Sequence, residues 1–207
     1  MVRLGDVCEV SSGDSAPQED KYFINGKYHF FRTSDVAREH ITSNLTKCKD
    51  YLNEEGIKKF KLFKKDTILF PKSAASTFLN HRAVLVVDGY VSSHLATIYP
   101  KTEDVLSNFI FLMLLKVDAK NLTSDQNYPS LKLKEIENIH IPLPPLEVQE
   151  EIVSIIEGYQ KLIDGCKQVV ENWKPDVETE LDEELKIYLE AHPDEKEKLK
   201  DGWQWRS

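Results

Sequence analysis

The sequence predicts an α+β fold, on three observations. Short apolar runs bounded by turn residues fill the first hundred of its 207 residues, and helical periodicity takes over after them. Pro142, Pro144 and Pro145 then separate this region from one long amphipathic stretch. Residues 1–145 are therefore read as one domain, 146–174 as a long coiled-coil-forming helix, and 175–207 as a short acidic helical tail.

The elements follow in order. Residues 4–10 alternate enough for a first strand, with Ser11-Ser12-Gly13-Asp14 as the turn after it. Residues 14–27 are polar and loop-like, and residues 28–33 form an aromatic-rich strand. Asn53 is placed to cap a short helix over residues 54–60, whose first turn carries two carboxylates. Residues 67–70 form a buried strand stopped by Pro71, and residues 83–87 another. Asp88-Gly89 signals a hairpin turn into Tyr90-Val91, and residues 95–99 make a further strand. A buried helix is predicted over residues 105–116, a short one over 132–138, and an extended segment over 139–143.

Beyond Leu146 the apolar residues Val148, Ile152, Ile155, Tyr159, Leu162, Cys166, Val169 and Trp173 recur at alternating steps of four and three, the seam of a coiled coil. Ile156, Ile163 and Val170 add a flanking row. At a rise of 1.5 Å per residue the stretch extends roughly 40 Å. One small domain does not cover so long an apolar face, which predicts pairing with a helix of a second copy or a partner subunit. The competing expectation is that the helix packs back on its own domain. Pro175 breaks it, and residues 177–191 read as a second, acidic helix with Leu181, Leu185 and Tyr188 on one face. The sequence closes on Gly202-Trp203-Gln204-Trp205.

Composition bounds the function. The longest apolar run, residues 109–115, is too short to span a membrane, and the N-terminus lacks the apolar core of a signal peptide. The three cysteines, Cys8, Cys48 and Cys166, are scattered and odd in number, which predicts a reduced, cytoplasmic protein with no thiolate metal site. The net charge of −8 argues against nucleic acid until its distribution is read. Residues 172–207 alone carry −5, whereas residues 21–82 carry +7. DNA attracts local charge rather than a favourable total. The lysine-rich run 58–65 is read either as part of that footprint or as a solvated face.

The sequence has no Gly-rich phosphate loop, no Gly-x-Ser-x-Gly elbow, no Asn/Asp-Pro-Pro-aromatic tetrapeptide of adenine methyltransferases and no Pro-Asp…Glu-x-Lys nuclease pattern. His81, Asp88 and His94 fall on neighbouring predicted strands, but their spacing fits no metal motif, and no metal is expected. What stands out is polar residues inside apolar strand–turn segments: Arg32-Thr33-Ser34-Asp35, Lys72 to Thr77, Asn80-His81-Arg82 and Ser92-Ser93-His94. Hydroxyls beside Lys and Arg suit phosphate contact, and Arg, Asn, His and Ser suit base edges. The same residues also serve ordinary turns. Pro71 to Arg82 contains no acidic residue, which favours DNA. The predicted DNA-facing set is Arg32, Thr33, Ser34, Lys72, Ser73, Ser76, Thr77, Asn80, His81, Arg82, Ser93 and His94.

These segments, in their order, resemble one family. Leu4-Gly5-Asp6-Val7-Cys8 resembles the opening of a target-recognition domain from a type I restriction–modification specificity subunit. Phe30 to Val36 resembles its second strand and turn, and Ile68 to Ser73 its central strand. Tyr128-Pro129-Ser130-Leu131 and the stretch Ile136 to Gln149, with Ile139-His140-Ile141-Pro142-Leu143-Pro144-Pro145-Leu146-Glu147-Val148-Gln149, resemble the signature that closes the domain. The resemblance covers about residues 4–173. It implies a mixed-sheet domain that performs no chemistry and holds no cofactor. Such a domain binds double-stranded DNA, and its partners are methyltransferase subunits that modify adenine with S-adenosylmethionine and a motor-nuclease subunit. A full subunit carries two such domains, each reading half of a bipartite site, with two long helices paired antiparallel as a spacer. This sequence holds one domain and one helix, which predicts a half subunit that homodimerises through residues 146–173. The alternatives are a fragment of a two-domain subunit, the recognition segment of a fused methyltransferase, and an interaction or decoy module that docks methyltransferase subunits without reading DNA. Trp203-Gln204-Trp205-Arg206 resembles the lead-in to a second repeat.

Overall fold

The computed structural model describes residues 1–39, 44–122, 130–172, 187–188 and 190–192. The chain divides into two compact units, Met1–Glu157 and Gly158–Ser207. In chain order the elements are β1 (Val2–Arg3), α1 (Leu4–Val7), β2 (Cys8–Ser12), β3 (Tyr28–Phe31), α2 (Thr33–Glu39), β4 (Asn44–Leu45), β5 (Asp50–Leu52), α3 (Glu54–Ile57), β6 (Ile68–Pro71), β7 (Ala83–Leu85), β8 (Tyr90–Val91), β9 (Leu95–Pro100), α4 (Ser107–Leu115), α5 (Leu133–Glu137), β10 (His140–Ile141) and α6 (Leu146–Asn172). Short 3-10 turns stand at Asp20–Tyr22, Ala74–Leu79 and Ala119–Asn121.

The class is α+β, and the larger sheets are mixed. One sheet has the order β2-β9-β6-β7-β4, antiparallel except for β4 beside β7. A second has the order β5-β3-β8, with β3 parallel to β8, and β1 pairs with β10. Successive residues of a strand point to opposite faces. Ile68 and Phe70 of β6, with Ala96 and Ile98 of β9, therefore pack under Phe109, Ile110 and Leu114 of α4. Leu69, Leu85 and Leu95 meet Phe31, Val36 and Leu45 on the other face. Burial of both faces explains why β6 reads as an unbroken apolar run.

Several local expectations are corrected. Residues 4–10 are not one strand: Arg3 forks onto the Asp6 carboxylate at 2.7 and 3.2 Å, closing the turn α1 ahead of β2. The strand expected over 28–33 ends at Phe31, because the buried Asp35 carboxylate accepts from the Arg32 amide (2.8 Å) and turns the chain into α2. Asn53 caps α3 as expected, accepting from the amides of Glu55 (3.1 Å) and Gly56 (3.0 Å), but that helix ends at Ile57. Pro71 is the last residue of β6 rather than its stop. Asp88-Gly89 is not a hairpin turn. The chain leaves the five-stranded sheet after β7 and enters the three-stranded sheet as β8, parallel to β3. No described glycine has positive φ, as a primed hairpin turn requires, and a Cβ on Gly89 would stand 2.5 Å from the Phe31 ring.

The first compact unit runs past the prolines into α6. The buried Gln149 side chain accepts from the Leu106 amide (3.0 Å) and donates to the carbonyls of Asp104 (3.0 Å) and Pro144 (2.8 Å). Ile152 and Val153 pack against the same core. The expected tail helix over 177–191 lies outside the described residues except at its end, where 187–188 and 190–191 are helical. Trp173, Trp203 and Trp205 also lie outside them.

Candidate nucleic-acid interface

The strand pairings bring the polar segments to one end of the sheets. β2 and β6 both run antiparallel to β9, with Ser12 opposite Ala96 and Pro71 opposite Leu95. Both strands therefore finish where β9 starts, at Leu95, just after His94. β7 runs antiparallel to β6, with Ala83 opposite Leu69, so Asn80-His81-Arg82 enters at the same end. The parallel pair β3 and β8 also finishes there, Phe31 beside Val91, and the Ser92 amide donates to the Phe31 carbonyl (2.9 Å). Direct ties close the cluster. The Lys72 amide donates to the His94 carbonyl (3.0 Å), the Ser93 amide to the Asp14 carbonyl (2.8 Å), and the Asp14 amide to the Val91 carbonyl (2.8 Å). Gly13 makes this approach possible, since a Cβ there would lie 2.1 Å from the Val91 oxygen.

The members of the cluster differ in accessibility. Ser34, in the first turn of α2, and His94 are exposed; Thr33, Lys72, Ser73, Ser76, Asn80, His81 and Ser93 are half-buried. Burial pushes the Lys72 ammonium below the usual lysine range. Ser76 donates to the Ser73 carbonyl (2.6 Å), and Ser73 forms a lone bridge with Ser130. Arg32 pairs with the Asp50 carboxylate and lies over the rings of Phe30 (5.1 Å) and Phe23 (5.8 Å), so its guanidinium is committed within the domain.

Two expected DNA contacts are corrected. Thr77 and Arg82 are fully buried. The Arg82 guanidinium stacks on Phe70, 3.5 Å from the ring centroid, and donates to the His81 carbonyl (2.7 Å), with a long contact to the Val117 carbonyl (3.5 Å). Burial depresses its pKa to about 9, against the raising influence of Asp118, so it stays cationic at neutral pH. Among the described residues Thr77 Oγ1 and Arg82 Nε have no hydrogen-bond partner. A side chain held this way supports the surface from beneath.

The structure also adds residues that no sequence signal marks. The segment after α4 folds to the same end: Asn80 Nδ2 donates to the Asp118 carboxylate (3.1 Å) and Asn80 Oδ1 accepts from the Ala119 amide (2.9 Å). This brings the exposed Lys120 over the Phe78 ring (6.0 Å). Only the unusual Asn80-His81-Arg82 string pointed toward this junction. Part of the lysine-rich run lies elsewhere. The Thr67 hydroxyl donates to the Lys64 carbonyl (2.7 Å) and the Lys65 amide to the Asp88 carboxylate (2.7 Å), both at the opposite end of the sheets. Asp88 is thereby separated from His81 and His94, and no group of three or more metal-ligating side chains occurs among the described residues.

The helical seam divides. Within the first unit Ile152, half-buried, packs against the domain's own core. Val148 borders a surface hollow shared with Phe109, Met113 and Leu143. Ile155 and Ile156 are exposed. Within the second unit Tyr159, Leu162, Ile163, Cys166 and Val169 are all exposed, as is Val170 of the flanking row (73%). No described helix is long and apolar enough to cross a membrane.

Comparison with known proteins agrees with this architecture. Residues 1–172 match the family model described as type I restriction modification DNA specificity domain. Over 173 residues the chain is 29% identical to the type I restriction enzyme MjaIX specificity subunit of Methanocaldococcus jannaschii, covering 81% of this chain and 39% of that protein. The chain thus spans about two-fifths of the length of the curated relatives it matches. Its fold is similar to that of a chain from a study of complex assembly and conformational transition of the type I R-M system (TM-score 0.63, 21% identity, 94% of this chain and 44% of that one). It is also similar to the HsdS subunit from Thermoanaerobacter tengcongensis (TM-score 0.62, 20% identity, 86% of this chain and 40% of that one).

Proposed function

The chain belongs to the type I restriction modification DNA specificity domain family, and from that premise we propose that it reads half of a bipartite DNA sequence on behalf of methyltransferase and restriction subunits. The convergence of Lys72-Ser73, Asn80-His81, Ser93-His94 and Ser34 at one end of two sheets carries this reading. That end offers hydroxyls, amide, imidazole and ammonium groups in the combination that phosphate and base-edge contact requires. The chain contributes no catalysis and no cofactor; S-adenosylmethionine belongs to the methyltransferase partner. The complex works in the cytoplasm, where its DNA is.

The exposed residues Tyr159, Leu162, Ile163 and Val169 support pairing of this helix with a second copy. Two copies would supply the two half-site readers that a bipartite target demands.

Salt-titrated binding to double-stranded DNA by the chain in complex with a methyltransferase subunit tests the reading. The double substitution Lys72→Ala with His94→Ala should weaken binding by ~1–3 kcal/mol per lost base contact and make the dependence on log salt shallower by about one. Unchanged affinity and slope would remove the DNA face from this end of the sheets. Leu162→Pro should convert a dimer to a monomer in light scattering.

A further inference from the structure

We infer that Arg82, Asn80 and Asp118 are positioning residues that fasten the turn Ala74–Leu79 to the turn Ala119–Asn121, so that the two turns meet DNA as one body and Lys120 belongs to the reading face. The inference rests on the DNA-reading role proposed above and adds to it a second turn and the device that fixes it.

The observations are independent of each other. Arg82 is wholly buried, yet among the described residues its side chain meets backbone carbonyls and an aromatic face. A buried cation with so little compensation is a poor source of stability, and an apolar side chain of similar volume would pack there at lower cost. What the guanidinium provides and an apolar residue does not is direction. Its planar fork reaches the carbonyl of its neighbour His81, which follows the first turn, and at 3.5 Å the carbonyl of Val117, which leads into the second. Asn80 makes the second fastening. It stands in the left-handed conformation (φ 53°), which Asn adopts more readily than most residues. Both ends of its amide cross to the second turn, to the Asp118 carboxylate and the Ala119 amide. Asp118 is in turn held by the Lys120 amide (3.0 Å). Leu79 (57%) and Lys120 are both exposed beside this junction.

Asp118 gives a test whose two effects have opposite signs. Its carboxylate is exposed and acidic beside a surface that binds an anion, so Asp118→Ala should tighten non-specific binding if charge is all that matters. If the fastening orients Asn80 and Lys120, the same substitution should weaken discrimination. The full chain with its methyltransferase subunit is challenged with a pool of random-sequence duplexes, and the bound fraction is sequenced. The wild type should enrich a bipartite motif; no enrichment at all would overturn the DNA-reading proposal itself. Asp118→Ala should retain or raise affinity for the unselected pool while enrichment at one or two adjacent base positions falls about tenfold. Arg82→Met, which keeps bulk and loses direction, should lose discrimination at the same positions. Asp118→Ala enriching the wild-type motif undiminished would overturn the inference even if Arg82→Met fails to fold. Equal loss of discrimination at every position would overturn it too, because a general loosening would account for that.

Discussion

Gln149 offers the sharpest perturbation of the fold. Its carboxamide sits 1% exposed where α6 begins, and it accepts one hydrogen bond and donates two, to the carbonyls of Asp104 and Pro144. Gln149→Glu preserves shape and removes both donors. Ionised, the new carboxylate would face two carbonyl oxygens at about 3 Å in a dry site. Each buried acceptor left unmet costs about 1–3 kcal/mol, with more for a charged group. A loss of about 3–5 kcal/mol is expected at neutral pH, which for a chain of this size lowers Tm by roughly 6–20 °C. The pH dependence identifies the cause. Burial and the facing carbonyls raise the folded-state pKa of the new carboxyl above its unfolded value, so the folded state binds more protons between the two. The deficit relative to wild type should therefore be smallest below about pH 4, the ordinary glutamate range, and grow as pH rises through the folded-state pKa. Urea denaturation of both proteins from pH 4 to pH 8 measures it. A deficit under about 1 kcal/mol at pH 8, or one independent of pH, would refute the role given to the two donated bonds.

Two further outcomes follow from packing and burial. Gly13→Ala places a methyl 2.1 Å from the Val91 oxygen and 2.5 Å from the Ser92 oxygen, so the ends of β2 and β8 must part. The variant should lose about 1–3 kcal/mol by denaturant midpoint and bind DNA more weakly, and a fully stable variant would show that the approach relaxes freely. Cys166 is exposed, whereas burial pushes the Cys8 thiol up to about 12 and the Cys48 thiol up to about 11. A thiol reagent at pH 8 should therefore spare Cys8 and Cys48 in the native protein and reach all three thiols in guanidinium, and fast native reaction of either buried thiol would contradict the burial.

Much of this was legible in the sequence, and the failures have identifiable physics. The strands around Ile68, Ala83 and Leu95 announced themselves because burial of both faces demands continuous apolar side chains. Asn53 was recognisable as a cap because its interaction is local, two and three residues ahead. Asp88-Gly89 misled because a turn signal reports local bending and not the strand to which the next segment pairs. Arg82 misled for the opposite reason. A lone arginine in an acid-free segment looks like a DNA contact, and only the tertiary stack on Phe70 places it inside. Asp118 and Lys120 gave no signal, since their place is set by Asn80, far away in sequence. In the seam, periodicity marked an apolar face without stating which turns face the domain; Ile152 packs inward, and Tyr159 and Leu162 are exposed.

The pairing of β1 with β10 has a consequence for exchange between relatives. Val2 stands opposite Ile141 and Arg3 opposite His140, so the chain enters and leaves the recognition domain at a single doorway. Everything between, from α1 to α5, hangs from it as a cassette. Deliberate grafting that cuts at these two strands would carry Asp104 and Leu106 away with the transplanted segment, so a graft keeps Gln149 satisfied only where the donor presents the same carbonyl and amide to it.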